Sequence, residues 1–120
     1  MSRKQVVFLA LLAVAAGCKP ATAEDLPPFV QQLIEQYEGG AESNSPGSIW
    51  RYNYGNAVVF YVPPFFCCDL PSRLYDVQGN VVCAPDGGIA GVGDGKCPDF
   101  FDMRKGGIRV WIDSRVEASE

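Results

Sequence analysis

Ser48-Ile49-Trp50-Arg51-Tyr52-Asn53-Tyr54-Gly55-Asn56-Ala57-Val58-Val59-Phe60-Tyr61-Val62-Pro63-Pro64 sets the period of the fold. Trp50, Tyr52 and Tyr54 alternate with Ile49, Arg51 and Asn53, the two-residue repeat that sends successive strand side chains to opposite faces. Gly55-Asn56 suits a type II′ turn, and the Ala-Val-Val-Phe-Tyr-Val run that follows is β-branched and aromatic. Pro63 and Pro64 lack ladder donors and end the second strand. The stretch predicts an antiparallel hairpin.

Upstream the period changes. Val30, Leu33, Ile34 and Tyr37 recur at helical spacing, while Gln31, Gln32, Glu35 and Gln36 take the opposite side. Pro27-Pro28 suits a first turn, Asp25 is the candidate N-cap, and Gly39-Gly40 stops the helix. Downstream, 73–77 and 81–84 read as a second hairpin around Gln78-Gly79-Asn80. Ile108, Val110 and Ile112 alternate with Arg109, Trp111 and Asp113 in a last strand. One helix followed by about five strands, without a βαβ rhythm, predicts an α+β fold: an N-terminal helix packed on a small antiparallel sheet. No repeat or linker divides the chain, so 27–115 is expected to form a single domain behind a tether at 18–26.

The first residues read as an export signal. Arg3 and Lys4 supply a positive start, and 6–17 is an apolar run of about a dozen residues, too short to span a bilayer. Two processing sites compete. Ala15-Ala16-Gly17-Cys18 is similar to a lipobox, with signal 1–17 removed and Cys18 lipidated, although Ala15 stands where a larger aliphatic residue is usual. Ala21-Thr22-Ala23 is an A-x-A site that would release a soluble chain at Glu24. Either route leaves an even set of cysteines, Cys67, Cys68, Cys83 and Cys97, in an oxidising compartment. A cysteine directly after Ala-Gly at the end of the apolar run favours lipidation.

Two disulfides are therefore expected. A bridge between neighbours closes a strained ring, so Cys67 and Cys68 are each expected to take Cys83 or Cys97, in either order.

Composition then excludes chemistry. The net charge is −4, and removal of Arg3 and Lys4 with the signal makes the mature chain more acidic, which disfavours nucleic acid and anionic lipid. The chain has no histidine, so Ser-His-Asp and Cys-His arrangements are absent. Residues 90–97 imitate a phosphate loop until Cys97 replaces the Ser/Thr that would hold magnesium, and Pro98 follows where a helix should continue. Asp86, Asp94, Asp99 and Asp102 lie among glycines and are the calcium candidates, but their spacing matches no EF-hand. Aspartate beside glycine equally makes self-contained turns. Pro63-Pro64-Phe65-Phe66 offers a stiff aromatic segment, so Pro64, Phe65 and Phe66 are the candidates for a binding loop, with burial of the two phenylalanines as the alternative.

Cys67-Cys68-Asp69, Leu74-Tyr75-Asp76, Gly79-Asn80, Cys83-Ala84-Pro85-Asp86-Gly87-Gly88, Gly93-Asp94-Gly95-Lys96-Cys97 and Asp99-Phe100 follow one another in a fixed order. Together they resemble a family of small exported bacterial proteins, many of them lipoproteins, known as a domain of unknown function. The resemblance covers 26–113 and implies no activity, cofactor or catalytic residue. The expected function is a non-enzymatic binding or structural module of the cell envelope, with an envelope or extracellular macromolecule as partner. Contact with the membrane is expected only through a lipid anchor. The alternatives are a calcium-stabilised ligand-binding domain and a small carboxylate-dependent hydrolase.

Overall fold

A computed structural model describes residues 25–64 and 70–118. The hairpin that sets the fold is formed by β1 (Ser48–Tyr54) and β2 (Ala57–Val62), in register from Tyr54↔Ala57 to Trp50↔Tyr61. Three further strands extend it: β3 (Arg73–Tyr75), β4 (Val81–Cys83) and β5 (Lys105–Ile112). The sheet runs β4-β3-β2-β1-β5 and every pairing is antiparallel. α1 (Pro28–Gly39) covers one face, giving the expected α+β arrangement of a helix on a five-stranded sheet.

The helix stripe lands as its spacing requires. Val30 and Tyr37 are buried with Leu26, Ile49, Phe60, Val62, Tyr75 and Trp111, and Leu33 and Ile34 pack at the margin. The helix is capped differently from the expectation. Pro27, rather than Asp25, occupies the N-cap position and no side chain caps it. Two consecutive prolines bring no amide hydrogens to the first turn, and the Pro27 carbonyl takes the Val30 and Gln31 amides.

The other face of the sheet has its own cover. Val59, Tyr61 and Leu74 point away from α1 and are sealed by Cys83, Cys97 and a fully buried Phe100. Phe100 begins the single turn α2 (Phe100–Met103), so the covering layer is a loop ending in one helical turn. The Cys83–Cys97 disulfide ties that loop to the sheet across a separation of 14 residues. Closing a loop of that length stabilises by about 3 kcal/mol in the chain-entropy picture. This pairing overturns the expectation that Cys83 and Cys97 each bond to Cys67 or Cys68. The sulfurs of β4 and of the loop meet because both belong to the layer over Leu74. Cys67 and Cys68 themselves lie outside the described residues.

Two strand expectations are corrected. The second hairpin is shorter than 73–77 with 81–84, because the Asp76 carboxylate accepts the Gln78 and Asn80 amides and the Asn80 side chain. Those groups are thereby withdrawn from a ladder into the turn. In β5 the partners of Ile49 and Trp50 are Trp111 and Arg109, so Val110 is an extra residue at a bulge. The bulge reverses the phase. Trp111 joins the helix-side core with Val110 beside it, and Arg109 is delivered to the opposite face.

α1 ends without a left-handed cap: Gly40 is extended. Its last carbonyls are satisfied by Arg115, on α3 (Ser114–Ala118), which donates to Tyr37 O at 2.9 Å and to Gly40 O at 2.8 Å. The same guanidinium pairs with the buried Asp113 carboxylate at 2.7 Å. A cation at a helix C-terminus is also favoured by the helix dipole. Trp111 Nε1 donates to Glu38 at 2.9 Å and ties the helix to β5.

Arg115 holds the Asp113 carboxyl well below the usual carboxylate range, with help from Ser45 and the Arg115 amide. A depressed folded-state value means that the stabilisation is complete above the unfolded carboxyl value of about 3.9 and is lost as pH falls through the folded one. Arg115→Met should destabilise the fold at pH 7, because it leaves the buried Asp113 carboxylate unpaired. Urea melts from pH 7 to pH 2 should show the gap between wild type and variant narrowing below about pH 4. A gap of constant size would mean that the pair does not act through charge.

The covering loop has a second test. Gly93 has φ +71°, and a Cβ there would lie 1.9 Å from Ala84 O, whereas at Gly91, φ +77°, a Cβ meets nothing within 4 Å. Gly91→Ala should cost about 1–2 kcal/mol, the left-handed penalty alone. Gly93→Ala should cost clearly more, because the backbone must also shift. Equal melting points for the two variants would show that the loop is not held in this geometry.

Candidate functional site

Strand alternation sends Trp50, Tyr52 and Tyr54 to the face opposite α1, on the part of the sheet next to the β5 edge. The Trp50 and Tyr52 rings lie 6.2 Å apart, within 15° of parallel, and both are half-buried. Tyr52 leans over β5 at Gly107, where a Cβ would come within 2.5 Å of the ring. Glycine is what lets the phenol settle against the neighbouring strand.

Two guanidinium groups complete the strip. Arg109, directly across from Trp50, sits 5.9 Å from the indole centroid. Arg104, just after α2, lies 5.0 Å from the Tyr52 ring and 4.9 Å from that of Phe101, and donates to the Tyr52 hydroxyl at 3.2 Å. Cation–π contacts of this kind hold a guanidinium in place while leaving donors free for a ligand. Arg109, Phe101 and Met103 are exposed.

Of the basic residues in β1 and β5, Arg109 shares the face of Trp50, whereas Arg51, across from Phe60, and Lys105, across from Asn53, take the α1 side. Among the described residues the only ion pair joins Arg115 to Asp113, so neither Arg104 nor Arg109 is neutralised by one. The strip is therefore an aromatic surface carrying two guanidinium groups, with Asp99 at its Tyr54 end.

The calcium candidates are separated. Asp86 accepts the buried Tyr61 hydroxyl at 2.8 Å, and its backbone is locked to Ser72 in both directions. Burial and that hydrogen bond push the Tyr61 phenol far above its ordinary value. Asp99 accepts the Tyr54 hydroxyl at 2.5 Å, which raises the Tyr54 phenol. Asp94 accepts the Lys96 amide at 3.0 Å in a local turn, which lowers its carboxyl, and Asp102 lies exposed in α2. Among the described residues no three His, Cys, Asp or Glu side chains are grouped to hold a metal ion.

Of the binding-loop candidates, Pro64 is half-buried with its ring toward Gly87, while Phe65 and Phe66 lie outside the described residues, as does Cys18. A cleft of about 20 Å³ beside Pro63, between Tyr37, Val62 and Arg73, has room for about one water molecule. Sequence reading placed Trp50, Tyr52 and Tyr54 on one face but missed Arg104 and Arg109 as their partners. Arg109 stands in the alternating pattern, yet only the bulge at Val110 decides its face.

Neither the curated proteins nor the solved structures contain a match to this chain. Residues 35–113, which take in the C-terminal part of α1, the whole sheet and the covering loop, match a family model described as a domain of unknown function (DUF6970), and the chain belongs to that family.

Proposed function

We propose that the chain is an exported bacterial envelope protein, lipidated at Cys18, whose domain serves as a non-enzymatic binding module. The observation that carries the binding role is the strip of Trp50, Tyr52, Arg104 and Arg109. Trp, Tyr and Arg are the residues most enriched at interface hot spots, because each combines a large contact area with directed polar groups. The strip holds no nucleophile beside a general base, and the aspartates nearest the sheet accept tyrosine hydroxyls. Export is supported by the charged start and apolar run before Cys18. The family adds no activity of its own.

Cys18→Ala should release the chain from the membrane fraction into the soluble one, cut after Ala23. A wild-type chain whose N-terminal sequence already starts at Glu24 would rule lipidation out. For the binding role, wild type and a Trp50→Ala/Arg109→Gln double variant with matching circular dichroism are each used to capture ligand from envelope extract. A component held by wild type and lost by the variant supports the reading, and identical captures refute it.

A further inference from the structure

The strip carries opposite charges at its two ends. Arg109 stands over Trp50 at one end; Asp99, bonded to Tyr54, and Asp102 on α2 stand at the other, and all three are exposed. Among the described residues the only ion pair joins Arg115 to Asp113, so Arg109 forms none with either carboxylate of its own chain.

Height changes along the same direction. α2 is seated over the Tyr52–Tyr54 end, where Phe100 meets both rings edge-on, and its exposed residues Phe101, Asp102 and Met103 form a ridge above the sheet. At the other end the half-buried Trp50 indole and the Arg109 guanidinium lie on the sheet itself and form a shelf.

Resting on the binding role proposed above, we propose that the partner of this face is a second copy of the same chain, the α2 ridge of each protomer seated on the Trp50–Arg109 shelf of the other. A surface with one charge and one height at each end meets its complement when turned half a revolution against itself, which is the condition for a two-fold interface. With the axis lying in the interface and across the strands near Tyr52, the Asp102 carboxylate of each protomer faces the partner's Arg109. Both pairs form at once, and a guanidinium can give a carboxylate two parallel hydrogen bonds. Phe101 and Met103 then cover the partner's Trp50. Aromatic rings, methionine and arginine are the residues enriched at the centre of such contacts.

Charge disfavours the other occupants. An anionic polymer crossing the face would meet Asp99 and Asp102, and a cationic one would meet Arg104 and Arg109. Two copies of a chain with net charge −4 repel each other over most orientations, so they approach where opposite signs are brought together. The side chains are also set beforehand: Trp50 Nε1 donates to Ser48 at 3.1 Å, and Arg104 is held against Tyr52 and Phe101. Little rotamer freedom remains to be lost on association.

The experiment compares detergent-solubilised full-length wild type with Arg109→Asp, Asp102→Arg and the variant carrying both changes. Every chain keeps the same N-terminus, so differences report the domain, and matching circular dichroism shows that each is folded. Sedimentation velocity gives the dissociation constant of each, and energy transfer between donor- and acceptor-labelled chains follows mixing. Wild type should dimerise. Each single variant sets like charges against each other at both contacts and should dimerise at least about tenfold more weakly. Mixing the two single variants places opposite charges at both contacts and should restore dimers, as should the two changes combined in one chain. A monomeric wild type, single variants that dimerise as wild type does, or a mixture that fails to recover overturns the proposal. If wild type is monomeric while extract capture still differs between wild type and the Trp50→Ala/Arg109→Gln variant, the binding role survives and only the second copy falls.

Discussion

The seating of Phe100 against the sheet is the contact on which the rest depends. A five-stranded sheet with one helix has one face covered and one face bare, and a domain of this size cannot leave Val59, Tyr61 and Leu74 in water. Phe100 is fully buried and meets the rings of Tyr52, Tyr54, Tyr61 and Phe101 at 5.1–5.6 Å. Burying a side chain of that size contributes about 1.5–3 kcal/mol before the edge-to-face geometry adds its share. The loop that carries Phe100 has few ladder hydrogen bonds of its own. Its position comes from the Cys83–Cys97 bond, the Ser72 amide donating to Asp86 O, the Asp86 amide donating to Ser72 Oγ, and the hydroxyls of Tyr54 and Tyr61.

The two faces of the sheet are stabilised by different means. On the helix side, apolar area dominates, and Arg115 closes the end of α1 onto α3 and Asp113. On the loop side, apolar area is scarcer, and phenols bridge the deficit by burying a ring while donating a hydroxyl to an aspartate. This gives Asp86 and Asp99 a structural role. At Asp86 and Asp99 the carboxylate Oδ1 accepts the Tyr61 and Tyr54 hydroxyls at 2.8 and 2.5 Å.

Much of this was legible in the residues. The hairpin, the helix stripe and the helix-on-sheet arrangement follow from periods of two and 3.6, which depend only on local chain geometry. What stayed hidden depends on contacts between distant segments. The pairing of Cys83 with Cys97 follows from both lying over Leu74, and no spacing rule encodes that. The Val110 bulge is one extra residue in a strand that alternates cleanly on paper, and it exchanges the faces of Arg109 and Trp111. The loop 84–99 reads as a run of glycine and aspartate turns, while the anchor that makes it a layer, Phe100, looks like any other apolar residue.

The bulge also links fold to surface. Without it, the alternation of β5 would place Arg109 with Trp111 on one face, and Trp111 is committed to Tyr37, Glu38 and the helix-side core. A guanidinium there would be driven into an apolar layer without a counter-charge, at a cost of several kcal/mol. One inserted residue satisfies both demands: the indole stays under the helix, and the guanidinium moves out over Trp50. On the far side of Tyr52, the Phe100 turn that completes the second core also delivers Arg104. The residues that seal the sheet are therefore the ones that position its aromatic strip, so a change that loosens the covering loop should disturb the strip before it unfolds the helix side.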